Sequence, residues 1–153
     1  MIRTPFCVSA VTLAALLVLV GCSKESINIA QAVDGNEAGY VKKWLKSGGN
    51  PNLTNAYGES LLYIATGPHG GHEVLEALLA AGAKLEMGAG KYTPLMNAAS
   101  WCDLEAVQLL HNHGANPNAQ NERGQRALDV VGRAGGSEQS VIDLLRSVTS
   151  TTR

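Results

Sequence analysis

The sequence predicts an all-α repeat solenoid: about four helix-turn-helix units with short β-hairpin connections. Two observations carry this. The segments Gly58 to Ala65, Lys91 to Ala98 and Gly124 to Val131 align, and their leucines Leu62, Leu95 and Leu128 are evenly spaced along the chain. An amphipathic helical run then recurs beside them, as Val41 to Gly49, Val74 to Ala83 and Ala106 to Ala115, with glycine closing each. A run from Val141 to Arg146 repeats the element without its closing glycine, so four helix pairs are counted. Such units cannot bury their apolar faces alone and must stack.

The residues before the first unit read differently. Arg3 gives a positive start, Phe6 to Val20 is apolar, and the run ends at Leu19-Val20-Gly21-Cys22, the layout of an export signal. The run is shorter than the roughly 20 residues needed to span a bilayer, which argues against a permanent membrane helix. The cleavage region resembles the lipobox of bacterial lipoproteins. That resemblance implies a signal peptide over residues 1–21, acylation of Cys22 on its sulfur and on its new amino group, and a short lipidated tether over 22–26. Three acyl chains exceed the two signals that stable anchoring needs. Ser23 rather than Asp follows the cysteine, and by the enterobacterial sorting rule the protein would face the periplasm from the outer membrane more readily than from the inner.

The whole chain has 153 residues, is 45% hydrophobic and 16% charged, and carries 12 basic against 13 acidic residues. Loss of Arg3 with the leader leaves 11 basic residues, a balance of −2. Neither balance points to nucleic acid or to polybasic membrane attachment. With Cys7 in the leader and Cys22 acylated, Cys102 stands alone and no internal disulfide is expected. About 130 residues are enough to be held by a core without such staples.

The repeating unit, with Thr93-Pro94-Leu95 opening a helix, Ala98-Ala99 within it and Gly114-Ala115-Asn116 closing the unit, resembles the ankyrin repeat. The resemblance covers about residues 26–148. It sets a repeat domain at 27–148, with units near 27–55, 56–88, 89–121 and 122–148 and a tail at 149–153. Thr93 suits an N-cap and Pro94 the first helical position. Asn52 to Gly58 and Asn118 to Gly124 match the consensus hairpin, and their Asn and Gly residues tolerate left-handed turn backbone.

The pattern also breaks. The stretch from Ala65 to Gly82 is one residue longer than its counterpart from Ala98 to Gly114, so Gly67 to Gly71 holds an extra residue, and the hairpin from Lys84 to Tyr92 is one short. Gly135-Gly136 is a second glycine-rich insertion. These loops are either local irregularities or partner contacts. The incomplete first and last units fit caps that face water.

No catalytic motif, phosphate-cradling loop or paired carboxylates stand out, so no enzyme activity and no cofactor are expected. His69 and His72 share a loop, and His111 and His113 lie two apart, which does not place both on one helical face; structural or solvated roles fit them better than metal ligation. Cys102 replaces the usual glycine between helices and reads as a packed thiol. Trp44 stands where other outer helices carry leucine and reads as core, whereas Trp101 falls at a variable position and is either a partner anchor or packed on a neighbouring loop.

Ankyrin proteins bind partners with hairpin tips and exposed inner-helix positions. The resemblance carries that role onto Tyr57, Glu59, Met87, Tyr92, Asn97, Trp101, Glu122, Arg123, Arg126 and Arg133. It implies a monomeric scaffold or inhibitor binding another protein. Small exported ankyrin proteins also resemble immunity proteins against periplasm-delivered phospholipase toxins, and others that support periplasmic catalases. A metal- or small-ligand-binding envelope protein is the alternative from a different class.

Overall fold

The computed structural model describes residues 24–87, 92–132 and 138–150. The leader, Cys22, Arg133 and the Gly135-Gly136 insertion lie outside the described residues. Among the described residues, seven α-helices and one 3-10 turn follow in order: α1 Lys24–Asp34, α2 Ala38–Lys46, α3 Leu61–Ala65, α4 His72–Ala80, α5 Pro94–Ser100, α6 Leu104–Asn112, the 3-10 turn Ala127–Val130, and α7 Glu138–Ser150. They form two layers. Inner elements α1, α3, α5 and the 3-10 turn contact their neighbours in sequence order, as do outer helices α2, α4, α6 and α7. The first helix begins at Lys24, inside the stretch expected to be tether, and the last runs to Ser150.

The core lies between the layers. Leu62 and Leu95, two of the evenly spaced leucines, are buried with Leu75, Leu78 and Leu110 from the outer helices. Burying each such side chain contributes about 1.5–3 kcal/mol. Trp44 packs against this core as expected, and its ring fills the space that a Cβ at Gly49 would need.

The starts of α3 and α5 follow from their caps. Ser60 accepts from the Tyr63 N–H at 3.1 Å and Thr93 from the Met96 N–H at 3.2 Å, with Pro94 at the first turn. The ends of α1 and α5 follow from left-handed residues. Asn36 (φ +52°) and Cys102 (φ +55°) stand two periods apart and turn α1 into α2 and α5 into α6. In both turns the next residue reaches back five positions, Glu37 N–H to Ala32 at 2.8 Å and Asp103 N–H to Ala98 at 3.1 Å. Cys102 thus occupies a glycine-type backbone position, and its buried thiol donates to the Gly132 carbonyl at 2.9 Å.

The hairpins are tight turns carrying isolated bridging, as between Thr54 and Ser60, and no extended strand among the described residues. Asn55 and Asn121, again two periods apart, build the same tip. The Asn55 Oδ1 accepts from Tyr57 and Glu59 N–H groups at 2.9 and 3.0 Å, and the Asn121 Oδ1 accepts from Arg123 and Gln125 at 2.9 and 3.0 Å.

The fourth unit departs from the expected helix pair, because its inner element is one 3-10 turn rather than an α-helix. Val131 stands where Ala65 and Ala98 are buried, and a β-branched side chain does not fit that close helix contact. Gly132 follows it, and its N–H bonds to the Ala99 carbonyl at 3.2 Å instead of continuing a helix.

Candidate partner-binding groove

Inner helices and hairpin tips together leave a furrow across the first three units. One section, about 450 Å³, lies between α1 and the tip that carries Tyr57 and Glu59. A second, about 240 Å³, continues past Tyr63 and Pro68 to Asn97 and Trp101. Asp34, Glu59 and Ile64 line both sections, so the two form one surface.

Of the residues expected to meet a partner, the furrow gathers Tyr57, Glu59, Asn97 and Trp101. Tyr57 is 87% exposed and Trp101 50%, so the aromatic residues at the two ends face solvent. Asn97 differs from its expected exposure. It is buried, and its amide donates to the Tyr63 carbonyl and the Thr66 hydroxyl, both at 3.1 Å, because it points at the neighbouring unit rather than outward.

The remaining expected residues stand apart from the furrow. Tyr92 packs against the core and is half-buried, while the Met87 backbone carbonyl accepts the Ser60 hydroxyl. Glu122 and Arg123 are exposed on the last described tip. Arg126 is held by its own turn, its Nε lying 3.3 Å from an Asp129 oxygen. Its backbone N–H, then its side chain, hold that carboxyl below the usual range.

Sequence reasoning missed Gln31, Asp34, Tyr63 and Ile64, which line the furrow. Part of the signal was present, since Gln31, Ile64 and Asn97 occupy one register position in successive units. Extending the repeat register back into α1 would have brought that helix to the groove.

The furrow is negative. Asp34 and Glu59 are its acids, no lysine or arginine among the described residues lines either section, and the His69 Nδ1 lies 3.8 Å from Asp34. Glu59 accepts from the Asn55 amide at 2.6 Å. Burial first, then the charge of Glu59 and the nearby Tyr92, push the Tyr63 phenol above the ordinary 10.0.

On the outer face, His72 sits between two carboxylates of the next unit, with Nε2 2.9 Å from Asp103 and Nδ1 3.0 Å from Glu105. Lys42 and Glu73 pair across the preceding joint. These contacts tie unit to unit. Among the described residues no group of three or more side chains is arranged to hold a metal ion, and no helix is long and apolar enough to cross a membrane.

Residues 29–121 match the family model for ankyrin repeats in three copies, which is more than half of the chain. The chain belongs to the ankyrin-repeat family. The match ends before the fourth unit, whose inner helix is reduced to the 3-10 turn. The chain is 40% identical over 101 residues to the ankyrin repeat and KH domain-containing protein mask of Drosophila melanogaster, spanning 61% of this chain and 2% of that protein. It is 33% identical over 70 residues to the human ankyrin repeat and SOCS box protein 11, or 46% of this chain and 22% of that one. It is also 34% identical over 115 residues to an ankyrin repeat-containing protein of Treponema pallidum (strain Nichols), 73% of this chain and 38% of its relative. The chain therefore spans well under half the length of each of these relatives. Ankyrin repeats are protein–protein interaction modules, and ankyrin-repeat homologues are generally non-enzymatic binding proteins.

Proposed function

We propose that this ankyrin-repeat protein is a membrane-tethered, periplasm-facing scaffold or inhibitor that binds one partner protein through the furrow between Tyr57 and Trp101. The observation that carries this reading is the furrow itself: a concave surface over three units, with a solvent-exposed aromatic side chain at each end. Aromatic anchors beside a concavity are where binding energy concentrates. Exposed large apolar side chains among the described residues are confined to Tyr40, Tyr57 and Trp101, which favours a monomer with one docking face over self-association.

The tether rests on Leu19-Val20-Gly21-Cys22. Only Ser23 separates Cys22 from α1, so an acylated Cys22 would hold the repeats within a few ångströms of extended chain from the lipid. A partner would be met at the membrane surface. That placement favours inhibition of a membrane-attacking enzyme, such as a phospholipase toxin delivered into the periplasm, as the more specific role.

The test is capture by the full-length chain from the envelope of bacteria that produce it, beside a Trp101→Ala chain. One protein held by the wild type and lost by the variant, with folding unchanged, is the expected result; equal capture by both contradicts the furrow. Labelling with an alkyne fatty acid should mark the wild-type chain and not Cys22→Ala. Unlabelled wild type contradicts the tether alone.

A further inference from the structure

We propose that the partner engages the furrow by inserting a cationic side chain, arginine or lysine, from an exposed basic segment, between the Asp34 and Glu59 carboxylates and the aromatic groups at Tyr57, Tyr63 and Trp101. This inference rests on the furrow being the partner site and names the chemistry of its occupant.

The argument is charge complementarity in a shaped cavity. Asp34 comes from α1 and Glu59 from the first hairpin tip, and they line both sections of the furrow, so their charges fall in its middle. No lysine or arginine among the described residues lines it to neutralise them. Glu73 is answered by Lys42 across a joint and Asp129 by Arg126 within its turn, whereas neither acid of the furrow meets a lysine or arginine among the described residues. Among the described residues Asp34 has only the His69 imidazole at 3.8 Å for an ion-pair neighbour, and the Glu59 carboxylate has the neutral amide of Asn55.

The excess of negative charge is local. The chain as a whole has a net charge of −1, and among the described residues Lys42, Lys43 and Lys46 stand on outer helix α2 and Arg123 and Arg126 on the far tip and turn, outside the furrow lining. A cation approaching the molecule is therefore drawn to the furrow rather than to the surface at large. The Glu59 charge adds, after burial, to what holds the Tyr63 phenol above its ordinary value.

The walls suit the same guest. Tyr57, Tyr63 and Trp101 present aromatic surface beside the carboxylates, and a guanidinium or ammonium over an aromatic face gains a cation–π contact in addition to its charged hydrogen bonds. A planar guanidinium can stack and bind a carboxylate with two N–H groups at once. An acidic or purely aliphatic segment would leave both carboxylates desolvated and unpaired, which is costly.

A random-peptide library displayed on phage and selected on the full-length chain tests this. Selected peptides should be enriched in arginine and lysine, and their affinity should fall as salt rises. Neutralising either acid, Asp34→Asn or Glu59→Gln, should weaken them about tenfold, while Lys46→Ala on outer helix α2 should not. Thermal unfolding of each variant separates lost binding from lost folding, and Asp34→Asn serves if Glu59→Gln disturbs the Asn55 tip. Peptides without basic enrichment that are nevertheless lost with Trp101→Ala would overturn the cationic occupant and leave the furrow standing as the partner site. A selection that yields nothing, or peptides indifferent to both Trp101→Ala and Tyr57→Ala, would overturn the furrow reading and this inference together.

Discussion

Asn97 on α5 donates its side-chain amide to the carbonyl of Tyr63 on α3 at 3.1 Å, joining two ankyrin units directly beneath the furrow. The same amide also donates to the Thr66 hydroxyl, which in turn donates to the Tyr63 carbonyl at 2.7 Å, so three polar groups are satisfied in a closed set. Replacement by alanine leaves the Tyr63 carbonyl one donor short and opens a small void. Asn97→Ala is expected to cost about 1–3 kcal/mol, read as a lower urea midpoint at unchanged slope.

The extra residue in the second interhelix loop leaves two glycines in crowded places. A Cβ at Gly70 would lie 2.0 Å from the backbone oxygen of Ala65, while one at Gly71 would meet the side chain of Asn36 at 1.8 Å. Backbone cannot step aside, but an asparagine side chain can rotate. Gly70→Ala should therefore destabilise by about 1–3 kcal/mol or more and Gly71→Ala by less, an order that parallel thermal melts will establish. The reverse order would mean that the Asn36 side chain is the more rigid wall.

Tyr63 gives a pH dependence with a definite sign. Its folded pKa lies above the unfolded value of 10.0, so its contribution to stability is complete below pH 10 and is lost as pH rises through the folded value. Ultraviolet absorbance of the phenolate should show one tyrosine that ionises later than a model tyrosine. Glu59→Gln should bring that titration part of the way back, because burial, the larger cause, remains.

Asp103 does two tasks, capping α6 through the Ala106 N–H at 3.0 Å and facing His72 of the preceding unit at 2.9 Å. Asp103→Ala loses both, whereas Asp103→Asn keeps an oxygen for the cap. The alanine variant should lose about 1–2 kcal/mol and the asparagine variant distinctly less, measured by chemical denaturation at neutral pH. Equal losses would assign the effect to the histidine contact alone.

The repeat was legible because its signals are local and recur. Leucine spacing, Thr93-Pro94 at a helix start and glycine at the outer-helix ends each depend on neighbours within a few residues, and the structure places Gly48, Gly82 and Gly114 at positive φ after α2, α4 and α6. The reading of Cys102 as standing in a glycine position has the same origin. The site was half legible. Tyr57, Glu59 and Trp101 came from the register, but Gln31 and Asp34 did not, because the first unit lacks the consensus residues by which that register is recognised.

By itself the sequence determined the period, the caps, the two-layer alternation and the residues of the core, since each is dictated by local backbone preference or by the spacing of apolar side chains. Tertiary structure alone decided which polar residues face across a joint and which face the furrow. Asn97 and Ile64 share one register position, yet Asn97 is buried against the neighbouring unit, while Asp34 and Glu59, from different units, line the same cavity. The stagger of one unit on the next sets those meetings, and it arises from the summed packing of many side chains rather than from any one stretch of chain.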